Sequence, residues 1–158
     1  MIFKHELKPF RLLVLTRERT FFEKLLSLIR LSYSGNDKLK AKIRHFYDLF
    51  MLYKQNDLGD KLFASDNFQL VNLALQDDAS NKIFSGDWMN ANLSDSPLFK
   101  DPASIWKELE PTFKNELSQL IWKNNLPSSR EILMLLEKIQ IFLVEFDKLH
   151  PGSKRDSL

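Results

Sequence analysis

Apolar and polar positions along the chain fall mostly into helical rhythm. In TRERTFFEKLLSLIRLSY, Phe21, Phe22, Leu25, Leu26, Leu28, Ile29 and Tyr33 recur at helical spacing. Thr16 fits an N-cap with Glu18 in the first turn, where the helix dipole favours an anion. Thr20 and Glu23 also fit a capping box, so this start is open by one turn. Ser34-Gly35-Asn36 ends the helix. A second helix is expected from Asp37 to Lys54, with Leu39, Ile43, Phe46, Leu49, Phe50 and Tyr53 as its apolar stripe. A third begins after Asp66 as N-cap and crowds in Phe68, Leu70, Val71, Leu73, Ala74 and Leu75.

Later segments vary more. SGDWMNANLSDSPLFKD, residues 85–101, is polar and turn-rich and reads as a long surface loop. Asp101-Pro102 is a helix start, a capping aspartate followed by proline in the first turn. Pro111 predicts a break or a new start before a segment running from Phe113 to Trp122. The final helix has the clearest pattern. Ser128 and Glu131 make a capping box, and Ile132, Leu135, Leu136, Ile139, Phe142, Leu143, Phe146 and Leu149 share one face. His150-Pro151-Gly152 stops it, and the tail SKRDSL reads as disordered. Ahead of all these, FRLLVL (Phe10 to Leu15) is the one strand candidate. The predicted fold is therefore mainly α, a helical bundle preceded by one short β-strand. A lone strand has unpaired backbone groups on both sides, so Phe10 to Leu15 is a place where a protein partner could add its sheet edge.

Composition narrows the chemistry. The 158 residues suit one domain with a real core, and 44% apolar with 28% charged residues is a globular balance. Thirteen phenylalanines against four glycines argue against long strands joined by glycine turns. With no cysteine, disulfides, thiolate metal sites and cysteine nucleophiles are excluded together. Lys4, Glu6, Lys8 and Arg11 interrupt any signal-peptide core, and no uninterrupted apolar span is present, so a cytoplasmic protein is expected. His5, His45 and His150 are scattered, with no metal-ligand spacing. No phosphate-cradling glycine loop or nucleophile elbow occurs. Trp88, Trp106 and Trp122 are too far apart for a stacking platform and read as packing residues.

Charge is uneven. Residues 1–54 hold twelve basic and five acidic side chains, a net +7, and the remainder carries −5. A basic third suits phosphate, on a nucleotide or on RNA, and equally an ordinary solvated lysine-rich face. Two residues stand out within it. Lys24 lies about 100 degrees from Leu25 on the helix wheel, so it need not follow the buried stripe. It is a point charge suited to a phosphate. In KIRHFYDLF, Arg44 and Asp48 are four apart on one helix face, and Asp48 is a carboxylate suited to a metal or a hydroxyl. A plain surface ion pair would use the same spacing.

LTRERTFFEKLLSLIR followed by KAKIRHFYDLFMLY resembles the AbiEii-type nucleotidyltransferase family, which includes toxins of type IV toxin–antitoxin and phage-defence systems. The similarity is closest from Lys8 to Tyr53. The family pattern is a strand, a helix with a glutamate–lysine pair, and a helix opening with a basic residue and a pattern like R-D-x-x-D-L. The resemblance implies that Lys24 contacts nucleotide phosphates, that Arg44 is the basic nucleotide-binding residue, that Asp48 is catalytic, and that Glu23 is structural. His45 stands where the family usually has a second aspartate.

The family also carries Gly-Ser and then Asp-x-Asp, the carboxylates that hold magnesium for transfer from a nucleoside triphosphate. This chain has no Asp-x-Asp, and its only Gly-Ser is Gly152-Ser153. The resemblance thus implies the C-terminal portion of such an enzyme, inactive alone and with no metal ligands of its own. In it, residues 1–56 are the end of the nucleotidyltransferase core, keeping one strand of its sheet; 57–150 are a helical C-terminal domain, and 151–158 a disordered tail. Magnesium, a nucleoside triphosphate and, in some members, a tRNA end belong to the complete enzyme. The alternative is a stand-alone helical interaction module or decayed toxin remnant that binds a protein partner; a basic RNA-binding domain is a third expectation.

Overall fold

The computed structural model describes residues 13–119 and 125–157. The broad apolar stripe after Thr16 becomes α1 (Arg17–Ser32), and the Thr16 hydroxyl accepts from the Arg19 amide at 3.2 Å, satisfying a donor the helix leaves open. Phe21, Phe22, Leu25, Leu26, Leu28 and Ile29 are almost wholly buried. A helix apolar over so much of its circumference has to sit at the centre. Accordingly α1 packs against α2 (Asn36–Lys40), α3 (Arg44–Tyr53), α4 (Phe68–Ser80) and α5 (Pro97–Lys100), while α6 (Pro102–Ser118) and α7 (Ser129–Leu149) close the bundle.

Phenylalanine holds the layers together. Phe142 of α7 lies 5.5 Å from the Phe22 ring, 5.2 Å from Phe68 at the start of α4, and 5.9 Å from Phe63 in the 3-10 turn Gly59–Phe63. Phe146 meets Phe68 edge-on at 5.5 Å. Each ring buries a large area, and each such pair adds about 0.5–1.5 kcal/mol through its geometry. Both capped starts form as the residue types require. Asp101 accepts from the Ser104 amide at 3.1 Å, and Ser128 and Glu131 complete a capping box at α7.

The structure corrects several expectations. Among the described residues there is no β-strand. Phe10, Arg11 and Leu12 lie outside them, and Leu13, Val14 and Leu15 are exposed and take no regular structure. Among the described residues no sheet edge stands beside them to bond their backbone. The helix expected from Asp37 to Lys54 is two helices. Between α2 and α3 the amides of Lys42, Ile43, His45 and Phe46 bond three residues back, a tightened turn with neither glycine nor proline to mark it. It lets α2 reach α6, where Asn36 donates to Glu108 at 2.7 Å, while α3 packs against α1.

Similar tertiary demands explain the rest. α4 takes Asn67, not Asp66, as its cap, because residues 65–67 form a 3-10 turn first. Pro111 does not break α6. The lost backbone bond costs about 3 kcal/mol, and it is offset because Trp106, Leu109, Phe113 and Leu117 stay on one buried face. Trp122 lies outside the described residues. Residues 85–101 are not a surface loop: two 3-10 turns and α5 bury Trp88, Leu93, Leu98 and Phe99 at spacings that follow no period.

The tail is held down as well. Gly152–Ser157 form a 3-10 turn, and Arg155 donates to Asp147 at 2.8 Å, with both side chains only 5% exposed. Asp147 also accepts from the Leu93 and Ser94 amides, and Arg155 donates to the His150 and Ala91 carbonyls. Gly152 permits this approach, because a Cβ there would stand 2.3 Å from the Ala91 carbonyl carbon. Arg155→Met should cost about 3 kcal/mol, since it leaves a buried carboxylate without its cation. Urea unfolding of the two chains checks this.

A polar cleft between the motif helices

The bundle leaves α1 one narrow polar face. Glu23, Lys24, Ser27 and Arg30 occupy it, because positions 21, 22, 25, 26, 28 and 29 all belong to the core. α3 packs along that side with Phe46, Leu49 and Phe50 buried, which turns His45 and Asp48 toward α1. There the Lys24 ammonium donates to Asp48 Oδ2 at 2.8 Å, with the two side chains 27% and 30% exposed. His45 Nδ1 is 4.0 Å from the same carboxylate oxygen, beyond hydrogen-bond distance.

Beside this pair opens a cleft of about 400 Å³ lined by Glu23, Ser27, Arg30, Lys42, His45 and the Asp77–Asp78 end of α4. Its charges are largely spoken for. Arg19 donates to Glu23 at 3.0 Å and pairs with Asp77; Arg30 donates to Asp78 at 3.1 Å and lies 4.0 Å over the Phe84 ring. Burial pushes the Asp78 carboxyl upward and the Arg30 guanidinium downward, although each sees the other's opposing charge. His45 is held down at about 4, first by burial and then by the positive charge of Lys24, so its ring is neutral at neutral pH.

The sequence-predicted residues are therefore only partly assembled. Lys24 and Asp48, twenty-four residues apart, are brought into direct contact. Arg44 is exposed on α3, with no hydrogen bond or ion pair among the described residues; Asp48 bonds across to α1 instead of back along its own helix to Arg44. Glu23 sits at the cleft rim in the hold of Arg19.

A family model described as "Nucleotidyl transferase AbiEii toxin, Type IV TA system" matches residues 2–134, most of the chain. The chain belongs to the AbiEii nucleotidyltransferase toxin family. No curated protein and no solved structure matches it. The family match runs past the two motif helices through α6 and into the first turns of α7.

Complete AbiEii members imply magnesium and a nucleoside triphosphate. Among the described residues no group of three or more histidine, aspartate or glutamate side chains converges to hold a metal ion, and the Asp48 carboxylate is engaged by an ammonium. The donor set here does not fit a magnesium centre. No helix among the described residues is long and apolar enough to cross a membrane.

Sequence reasoning missed Arg19, Arg30, Asp77 and Asp78 as parts of this site. Arg30 had a legible signal, since it falls seven residues after Glu23 on the same polar stripe. The two aspartates had none, being about fifty residues away from the arginines they meet.

The half-buried neutral histidine fixes a pH dependence. An unfolded histidine titrates near 6.5, while His45 in the fold titrates at about 4, so the unfolded chain binds more protons between those values. The contribution to stability is complete above about pH 6.5 and is lost as pH falls toward 4, by up to about 3 kcal/mol. Unfolding free energies from urea titrations should fall by about 2 kcal/mol more between pH 7 and pH 4.5 in the parent chain than in His45→Gln.

Proposed function

We propose that this chain supplies the phosphate-handling side of an AbiEii nucleotidyltransferase site. Lys24 is the ligand of the nucleotide phosphates, Asp48 the catalytic carboxylate that holds it in place until the nucleotide arrives, and Arg44 a second cation for the same nucleotide. The observation that carries this reading is the 2.8 Å Lys24–Asp48 pair, part-exposed next to a polar cleft. An ammonium held by a half-buried carboxylate is placed beside the cleft in advance, which is what a phosphate ligand requires. In this reading residues 1–56 belong to the nucleotidyltransferase core and 57–150 to a helical C-terminal domain, although side chains from both enter one hydrophobic core.

Transfer itself needs the Asp-x-Asp carboxylates, which none of the 158 residues provides. The reading therefore assigns this chain nucleotide binding without transfer to an acceptor such as tRNA when it is alone. A second reading is favoured by the exposed apolar Leu13-Val14-Leu15 segment: a helical module that a protein partner covers there.

Calorimetric titration with ATP at low salt separates the two. The phosphate reading predicts measurable binding that falls at least tenfold in Lys24→Met and a few-fold in Arg44→Gln, each replaced cation removing about 1 kcal/mol or more. ATP binding that ignores Lys24 would sink it.

A further inference from the structure

One oxygen of Asp48 faces two donors. Oδ2 accepts from Lys24 at 2.8 Å, and His45 Nδ1 waits 4.0 Å away, one helical turn earlier on the same face of α3. Lys24 reaches the carboxylate from another helix on a flexible four-carbon stem, so it can swing to a more highly charged anion. His45 cannot leave: it is part of α3 and lines the cleft where such an anion would enter.

We propose that His45 is a positioning residue that exchanges places with Lys24: when a polyphosphate draws the ammonium off Asp48, the imidazole closes onto the freed oxygen and keeps the carboxylate in place. The proposal rests on the reading of Lys24 as a phosphate ligand. Without a replacement, Asp48 would be left part-buried and unpaired, at a cost that opposes phosphate binding. Closing a gap of 4.0 Å to hydrogen-bond distance needs only a side-chain rotation.

The surrounding charges favour the exchange. After burial, the groups that keep His45 neutral are Lys24, Lys42 and Arg30, and only Asp48 acts the other way. A polyphosphate compensates Lys24 and Lys42 and leaves Asp48 to the ring. The remaining charged groups of the cleft are already paired on neighbouring helices: Glu23 and Asp77 with Arg19, and Asp78 with Arg30. The ring should therefore take up a proton as the anion binds.

Inorganic tripolyphosphate is the probe, and the imidazole NMR signals of His45, assigned by their absence in His45→Gln, are the readout. With tripolyphosphate bound, the titration midpoint should move from about 4 upward by at least one pH unit. By linkage, a shift of one pH unit makes tripolyphosphate affinity gain about threefold more on going from pH 7 to pH 4.5 in the parent chain than in His45→Gln, and a larger shift makes it gain more. A midpoint that stays in place while tripolyphosphate binds, with that binding lost in Lys24→Met, overturns the exchange and leaves the phosphate reading standing. Absence of binding to the parent chain, or binding unaffected by Lys24→Met, overturns both. Should His45→Gln fail to fold, His5→Gln and His150→Gln assign the other two rings, and the parent chain's remaining histidine titration with and without tripolyphosphate decides alone.

Discussion

The aromatic cluster around Phe142 is the constraint from which the rest of the arrangement follows. Rings from α1, α4, the Gly59–Phe63 turn and α7 meet there at 5.2–5.9 Å, so none of these elements can rotate without opening a void. Phe22 in particular fixes the rotation of α1 about its own axis. With that rotation set and five further apolar positions buried, Glu23, Lys24, Ser27 and Arg30 have one direction left to face. The polar cleft is the surface that the packing of α1 leaves over.

That origin explains the electrostatics of the site. Charges set against a packed core are partly shielded from water, and each finds a partner on another helix: Lys24 on α3, Arg19 and Arg30 on α4. The result is a region of balanced charge, in which any arriving phosphate has to compete with a resident carboxylate. His45 remains neutral among these pairs because it is partly shielded from water and surrounded chiefly by cations. A site built this way favours exchange of partners over simple attraction, and salt will weaken its outer members, Lys42 and Arg44, more than the part-buried Lys24.

The second half of the chain acts as a frame. Residues 85–101 look like a loop by composition, yet Asp147 at the end of α7 ties down their backbone amides, and Arg155 locks that contact from the tail. α5 from the same segment packs against α1, with Leu98 and Phe99 buried. The AbiEii family match extends over residues 85–101 and the first turns of α7 as well as over the motif helices, and one hydrophobic core joins these parts.

The sequence by itself determined the helices whose signals are local: α1, with its start left open between Thr16 and Thr20, α6 from Asp101-Pro102, and α7 with its capping box, together with Lys24 and Asp48 as the residues worth attention. These are legible because capping and apolar periodicity act within a few residues. Only the tertiary structure decided that the second helix breaks after Lys40, that Pro111 is carried inside α6, that Leu13 to Leu15 join no sheet, and that Arg155 is buried. It also decided that Lys24 and Asp48 touch, and that Asp77 and Asp78 close the cleft. In each case the deciding contact comes from a distant part of the chain, and burial against it outweighs the local preference that the residues display on their own.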